Sequence, residues 1–451
     1  MMPTPKGPAH TVMGPACIVA IGLALVVGRP FQGRLVAQAR ATVYEHARII
    51  DGNGGAPIEN GSIVVADGRF IRTVPAGAAH VDLAGKTVMP AIVDAHVHLG
   101  YRNGTTFTAD NFTRETISSQ LRQLAYWGVS GVLSTGTDIG DLIFQMRAAG
   151  NAKNYGGTIL RTAWRGIALP DGGPRPPMSV GPFAVNTAAE ARADVRELAA
   201  KQADVVKIWV DDRGGTAPKL PPEIYTAVID EAHKQHLRVI AHAMTLADTK
   251  ALLRANIDGF AHLFRDREAD AEVLELLKAR PKVFFMLTMW APGNAALTEP
   301  PAWVTDPRLR GTASAEQIRQ FTGGFANRTP QSVAAAREEL QTLQKNAVTL
   351  NKAGVTLILG TDAGGNTGGP LLGWIEHIEL EDMVAAGLTP SAAISAATKG
   401  SAAVLRLDQL GTIAPGKRAD FIVLDANPLD DIRNSRRISR VFQRGTEVPR
   451  P

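Results

Sequence analysis

The chain has 451 residues, with 48 Lys and Arg against 43 Asp and Glu, ten His, a single Cys and an apolar share of 45%. That balance excludes a largely disordered chain and a disulfide scaffold, and no apolar run reaches the ~20 residues that a membrane-spanning helix needs. The net charge of +5 comes without any basic cluster interleaved with aromatics, so nothing points to a nucleic-acid partner.

Residues 1–39 differ from the rest. Lys6 is the only charge before Arg29, and the segment holds no acid. Residues 16–28 form an apolar run of signal-peptide length, and Ala37-Gln38-Ala39 offers an A-x-A cleavage site. An export signal over 1–39 is expected, with a periplasmic mature protein and no stable membrane anchor after cleavage; an uncleaved anchor is the alternative. Cys17 lies at the start of the apolar run and not after it, unlike a lipoprotein cysteine. Cleavage would remove Cys17 together with Lys6, Arg29 and Arg34, leaving 45 bases against 43 acids, a net charge of +2.

Residues 40–90 read as short strands broken at Asp-Gly and Asn-Gly turns, and residues 401–451 read as strands again. Between them, over 91–400, strands alternate with helices. Strand candidates lie at 91–99, 129–137, 158–168, 203–210, 238–244, 258–264, 282–289 and 355–363. Amphipathic patterns separate them, including 113–127, 187–202, 221–236, 245–256, 268–280 and 330–354. Leu388-Thr389-Pro390-Ser391 opens a further helix, with Thr389 as N-cap. Eight β/α units predict an α/β fold, a (β/α)8 TIM barrel, with a small β-sandwich built from both chain ends. The Pro-, Gly- and Thr-rich segment 290–330 is expected to be a lid or substrate loop. Specificity is expected there and in loops 100–112, 169–183 and 211–220.

The chemistry gathers at strand ends. His96 and His98 close the first strand, and residues at i and i+2 share a face. Lys207 interrupts the apolar run Asp204-Val-Val-Lys-Ile-Trp-Val; such a lysine either snorkels to solvent or has its charge removed, as in a carbamate. His242 and His262 end the fifth and sixth strands, and Asp362 ends the eighth. Nitrogen and oxygen donors of this kind suit zinc-like divalent ions. Tyr101 and Arg265, just beyond ligand-bearing strand ends, are candidate substrate contacts.

These motifs resemble the amidohydrolase superfamily, in its imidazolonepropionase-like and prolidase-like branch. VMPAIVDAHVHL (88–99) looks like the first-strand motif. GLTPSAAISAATKGSAAVL and LGTIAPGKRADFIVLDANPLDDI look like the last helix and closing β segment. The resemblance spans most of 41–445. It implies two divalent metal ions, zinc foremost: His96, His98 and Asp362 on one, His242 and His262 on the other, and an N6-carboxylated Lys207 between them. It implies hydrolysis of an amide bond in a small dipeptide-like, N-acyl or aryl-amide substrate by a metal-bridging hydroxide, with Asp362 as proton shuttle. Two departures stand out. Ala91 replaces a usual Gly, and Met244 occupies a position where related peptidases and ochratoxin hydrolases often carry a substrate-contacting His. The alternative is a mononuclear cyclic-amide hydrolase or deaminase of the imidazolonepropionase type. A homo-oligomer stays open.

Overall fold

The computed structural model describes residues 41–151, 157–365 and 371–450. The expected export segment, residues 1–39, lies outside them. No helix among the described residues is long and apolar enough to cross a membrane.

The middle of the chain alternates strand and helix. Its helices begin on residues whose side-chain oxygens accept an orphan backbone N–H. Thr113 caps Arg114–Tyr126, Thr187 caps Ala188–Ala200 in a capping box with Glu190, and Thr245 caps Leu246–Arg254. Asp270, Thr329 and Thr389 do the same for Ala271–Lys278, Pro330–Lys352 and Pro390–Ser395. The central strands are short, apolar and buried along almost their whole length, the pattern of parallel strands covered on both faces.

The first central strand (Ile92–Val97) pairs in parallel with the second (Val129–Ser134), and the second with the third (Ile159–Thr162). The expected strand at 158–168 is in fact two pieces. Trp164 turns left-handed, at φ 52°, and the chain resumes at Ile167–Ala168 beside the fourth strand. The fourth to eighth strands (Val206–Trp209, Val239–His242, Gly259–Phe260, Phe284–Met286 and Thr356–Ile358) follow side by side in parallel. The first strand also bonds to residues around the end of the eighth. Ala95 N donates to Leu359 O (3.1 Å), Asp362 N to His96 O (2.8 Å) and His98 N to Ala363 O (2.8 Å). Asp204 N to Thr162 O (2.8 Å) links the third strand to the start of the fourth.

The two β-rich ends join in one sheet of eight strands, where two layers are expected. Phe421–Leu424 pairs antiparallel with Thr87–Pro90, which ties the C-terminal strands to the N-terminal ones. Tyr44, Phe421 and Phe442 fill its core, the last two stacked with ring centroids 4.4 Å apart.

Three elements depart from the sequence reading. Segment 290–330 is mostly short helices, among them Trp290–Ala295 and Ala315–Gly323. Trp290, Leu309, Ala313 and Phe325 are buried beneath it, so apolar packing orders what composition reads as a loop. Leu142–Asn151 and Trp374–Ala385 are helices with no expectation behind them. The second is buried along most of its length, Glu376, His377 and Glu379 included, so it shows no polar stripe.

Candidate metal centre

The C-terminal ends of the central strands carry the six expected side chains, and all six line one cavity of about 480 Å³. His96 and His98 point the same way from the first strand. His96 places Nδ1 3.2 Å from the Ala261 carbonyl, and His98 places Nδ1 2.8 Å from Thr137 Oγ1. Both therefore present Nε2 to Asp362, whose Oδ1 lies 3.3 Å and 2.9 Å from them. One ligand atom from each of His96, His98 and Asp362 falls within 4.8 Å of the others. Asp362 itself sits at φ 58°, a left-handed conformation that costs energy for a non-glycine residue. Gly364 follows at φ 88°, and a Cβ there would come within 1.9 Å of the His98 carbonyl, so only glycine lets the chain return so close.

His262 lies between the others, with ring centroids 5.0 Å from His96 and 4.7 Å from His242. Its buried Nδ1 has no hydrogen-bond partner. His242 is oriented by Asp211, whose Oδ2 is 3.2 Å from Nε2. Lys207 is buried, with Nζ 5.2 Å from the centre of the Trp209 ring. Gly136, at φ 84°, makes room for its stem; a Cβ there would lie 2.8 Å from Lys207 Cγ.

Burial sets the protonation states. It lowers His242, and it drives His96 and His262 well below the usual imidazole range, so these rings are neutral and offer lone pairs. Burial also pulls Lys207 down to about 7, against a smaller opposing pull from Asp362. Burial pushes Asp362 up, but His96 and His98 outweigh it and hold the carboxyl well below the ordinary range. Neutral imidazoles, an ionised carboxylate and an orphaned buried nitrogen form a donor set that fits a divalent cation.

The remaining expected residues divide. Met244 and Arg265 line the cavity, and Arg265 also bonds Glu339 at 3.0 Å. Tyr101 is buried away from the cavity lining and donates its hydroxyl to the Thr137 carbonyl, fixing the residue that holds His98. Loop 169–183 reaches the cavity through residues 172–175 and Met178, and loop 211–220 through Asp211 and Arg213. No described residue of 100–112 or 290–330 lines it. Sequence reasoning missed Asp211, Thr137, Arg175 and Arg213. Asp211 had a readable signal, since it follows a ligand-bearing strand as Asp362 does. It also missed the role of Asp94, which accepts from His96 N (2.9 Å) and Thr361 N (3.1 Å) and so clamps the first strand to the end of the eighth.

A model of the amidohydrolase family matches residues 87–448. The chain belongs to that family and is a hydrolase of carbon–nitrogen bonds. It is similar to the ochratoxinase of Aspergillus niger, 25% identical over 90% of this chain and 85% of that one. It is 26% identical to the imidazolonepropionase of Streptomyces coelicolor, over 82% of this chain and 86% of that protein. Among solved structures, a Xaa-Pro dipeptidase with bound methionine in its active site shares the fold, with a TM-score of 0.71 at 23% identity over 90% of this chain and 99% of that one.

Proposed function

We propose that the protein is a binuclear, divalent-metal amidohydrolase on a (β/α)8 barrel, cleaving the amide bond of a dipeptide-like, N-acyl amino acid or aryl-amide substrate. The observation that carries the reading is the convergence of six side chains, from five strand ends, on one cavity. His96, His98 and Asp362 would hold one ion and His242 and His262 the other, with Lys207 between them. Bound zinc or a similar ion polarises a carbonyl and makes water acidic enough to attack at neutral pH.

The chain's own residues do the rest. Asp362, ionised and 2.9 Å from His98 Nε2, accepts the proton of the attacking water and returns it to the leaving nitrogen. Lys207, drawn down to about 7, is substantially unprotonated at neutral pH, and the free amine is the form that adds carbon dioxide, releasing one proton to give the carbamate. Thr137 and Asp211 hold the His98 and His242 rings in orientation. Met244 and Arg265 form part of the wall that meets the substrate. Residues 1–39 would act as the export signal, testable by sequencing the mature N-terminus.

A panel of dipeptides, N-acyl amino acids and aryl-amides, assayed with zinc, tests the reading. Turnover of at least one class is expected, abolished by chelator and restored by zinc. No turnover across the panel, or turnover indifferent to chelation, contradicts it. A mononuclear cyclic-amide hydrolase is the second reading. The observation in its favour is that, among the described residues, His96, His98 and Asp362 are the one group of three or more His, Cys, Asp or Glu side chains whose ligand atoms all lie within 4.8 Å of one another. One metal per chain would select it.

A further inference from the structure

At the opposite end of the same strands lies a second cavity, of about 270 Å³, that the proposed reaction does not use. Its floor is apolar: Leu133, Ile240, Phe284 and Met286 are all buried. The Phe284 ring occupies the space over Gly259, where a Cβ would lie 2.4 Å from it. Small side chains in the same cluster, Ala95, Ala163 and Ala261, keep the interior from filling.

Three guanidinium groups line the mouth: Arg161, Arg238 and Arg406. Only one carboxylate, Asp204, lines the cavity with them, and it is already committed. It accepts from Arg161 Nη1 (3.0 Å), Arg147 Nη1 (2.8 Å) and Thr162 N (2.9 Å). Asp258, the other acid near Arg238, is taken by His233 (2.9 Å) and Val239 N (2.8 Å). Among the described residues neither Arg238 nor Arg406 forms an ion pair; Arg238 donates Nη2 to the Val404 carbonyl and Arg161 donates Nη2 to the Arg406 carbonyl (3.3 Å), but the Nε atoms of Arg161 and Arg238 are buried without a partner. Unpaired buried donors of a permanent cation are costly, so the cluster is short of an anion.

We propose that this cavity binds a small carboxylate with an apolar tail, the tail against Leu133, Ile240, Phe284 and Met286 and the head on Arg161, Arg238 and Arg406. Planar guanidinium matches carboxylate in a two-point fork. A bare phosphate would bury its remaining oxygens against the apolar floor. The cavity lies just below the ~300–1,000 Å³ of drug-sized sites, which suits a short chain. The site is separate from the metal centre and does not depend on it.

Sodium octanoate is the probe, titrated calorimetrically into the full chain with zinc present, beside inorganic phosphate. Because octanoate can also reach the metal cavity, the component assigned here is the one that Arg238→Met weakens by about tenfold, with the far-UV circular dichroism spectrum unchanged. Arg406→Gln, at an exposed position that tolerates substitution, is expected to weaken the same component severalfold and serves if Arg238→Met fails to fold. Absence of octanoate binding, affinities unchanged in both variants, or phosphate binding as tightly as octanoate would overturn the proposal.

Discussion

At the chain-end sheet, Tyr44, Phe421 and Phe442 bury their rings against one another, with Tyr44 and Phe421 edge to face at 5.3 Å. At the histidine cluster, Lys207, His96 and His262 bury groups that water would otherwise solvate. The sheet gains transfer and packing energy from every contact. The cluster forfeits it: Nδ1 of His262 is unpartnered, Asp362 sits in a left-handed conformation, and an amine is held near neutrality by burial. Stability is concentrated in one region and given up in the other, the trade expected where a site must stay ready for a ligand.

That contrast can be broken in four places. The largest effect is expected at Asp362→Asn, which keeps the side chain's shape and one acceptor oxygen but removes the proposed proton acceptor. Turnover should fall by about 10²–10⁴-fold with an unchanged circular dichroism spectrum; retained turnover removes Asp362 from the reaction. Phe421→Ala should do the reverse. Denaturant unfolding should show a loss of about 3–5 kcal/mol, while kcat per folded molecule stays that of wild type. A drop in kcat with no loss of stability would erase the distinction between the regions.

A smaller effect is expected at Asp211→Asn. The variant loosens the His242 ring, and metal affinity, read by competition with a chromogenic chelator, should weaken about 10–100-fold. The smallest concerns Lys207→Met in chelator-treated protein. The folded lysine titrates near 7 and the unfolded one near ~10.4, so between those values the unfolded chain holds a proton that the folded chain lacks. Lys207 therefore costs stability, fully below about pH 7 and progressively less as pH rises toward ~10. The metal-free variant should melt higher than wild type at pH 7 and lose that rise in stability with pH. A lower melting temperature would show that Lys207 supports the fold.

The contrast also explains what could be read in advance. His96, His98, Lys207, His242, His262 and Asp362 were legible because each interrupts or ends an apolar run, where a polar residue has no packing reason to be. Arg175 and Arg213 were not, because they lie in loops and only the fold brings them to the cavity, and Thr137 was not, because only the fold sets its hydroxyl against His98. The central strands followed from short continuous apolar runs. The helix Trp374–Ala385 did not, since burial on nearly all sides hides the 3.6-residue alternation that marks a surface helix. Segment 290–330 read as a loop from its Pro and Gly content, yet Trp290, Trp303 and Phe321 pack together there, with Trp303 and Phe321 centroids 5.5 Å apart. Composition is blind to such long-range aromatic contacts.

The most direct test of the account is a metal count by elemental analysis on zinc-reconstituted protein, wild type beside Lys207→Ala. Two ions per chain in the wild type and one or fewer in the variant are expected. One ion in both, or none in the wild type, would contradict a binuclear centre bridged at Lys207.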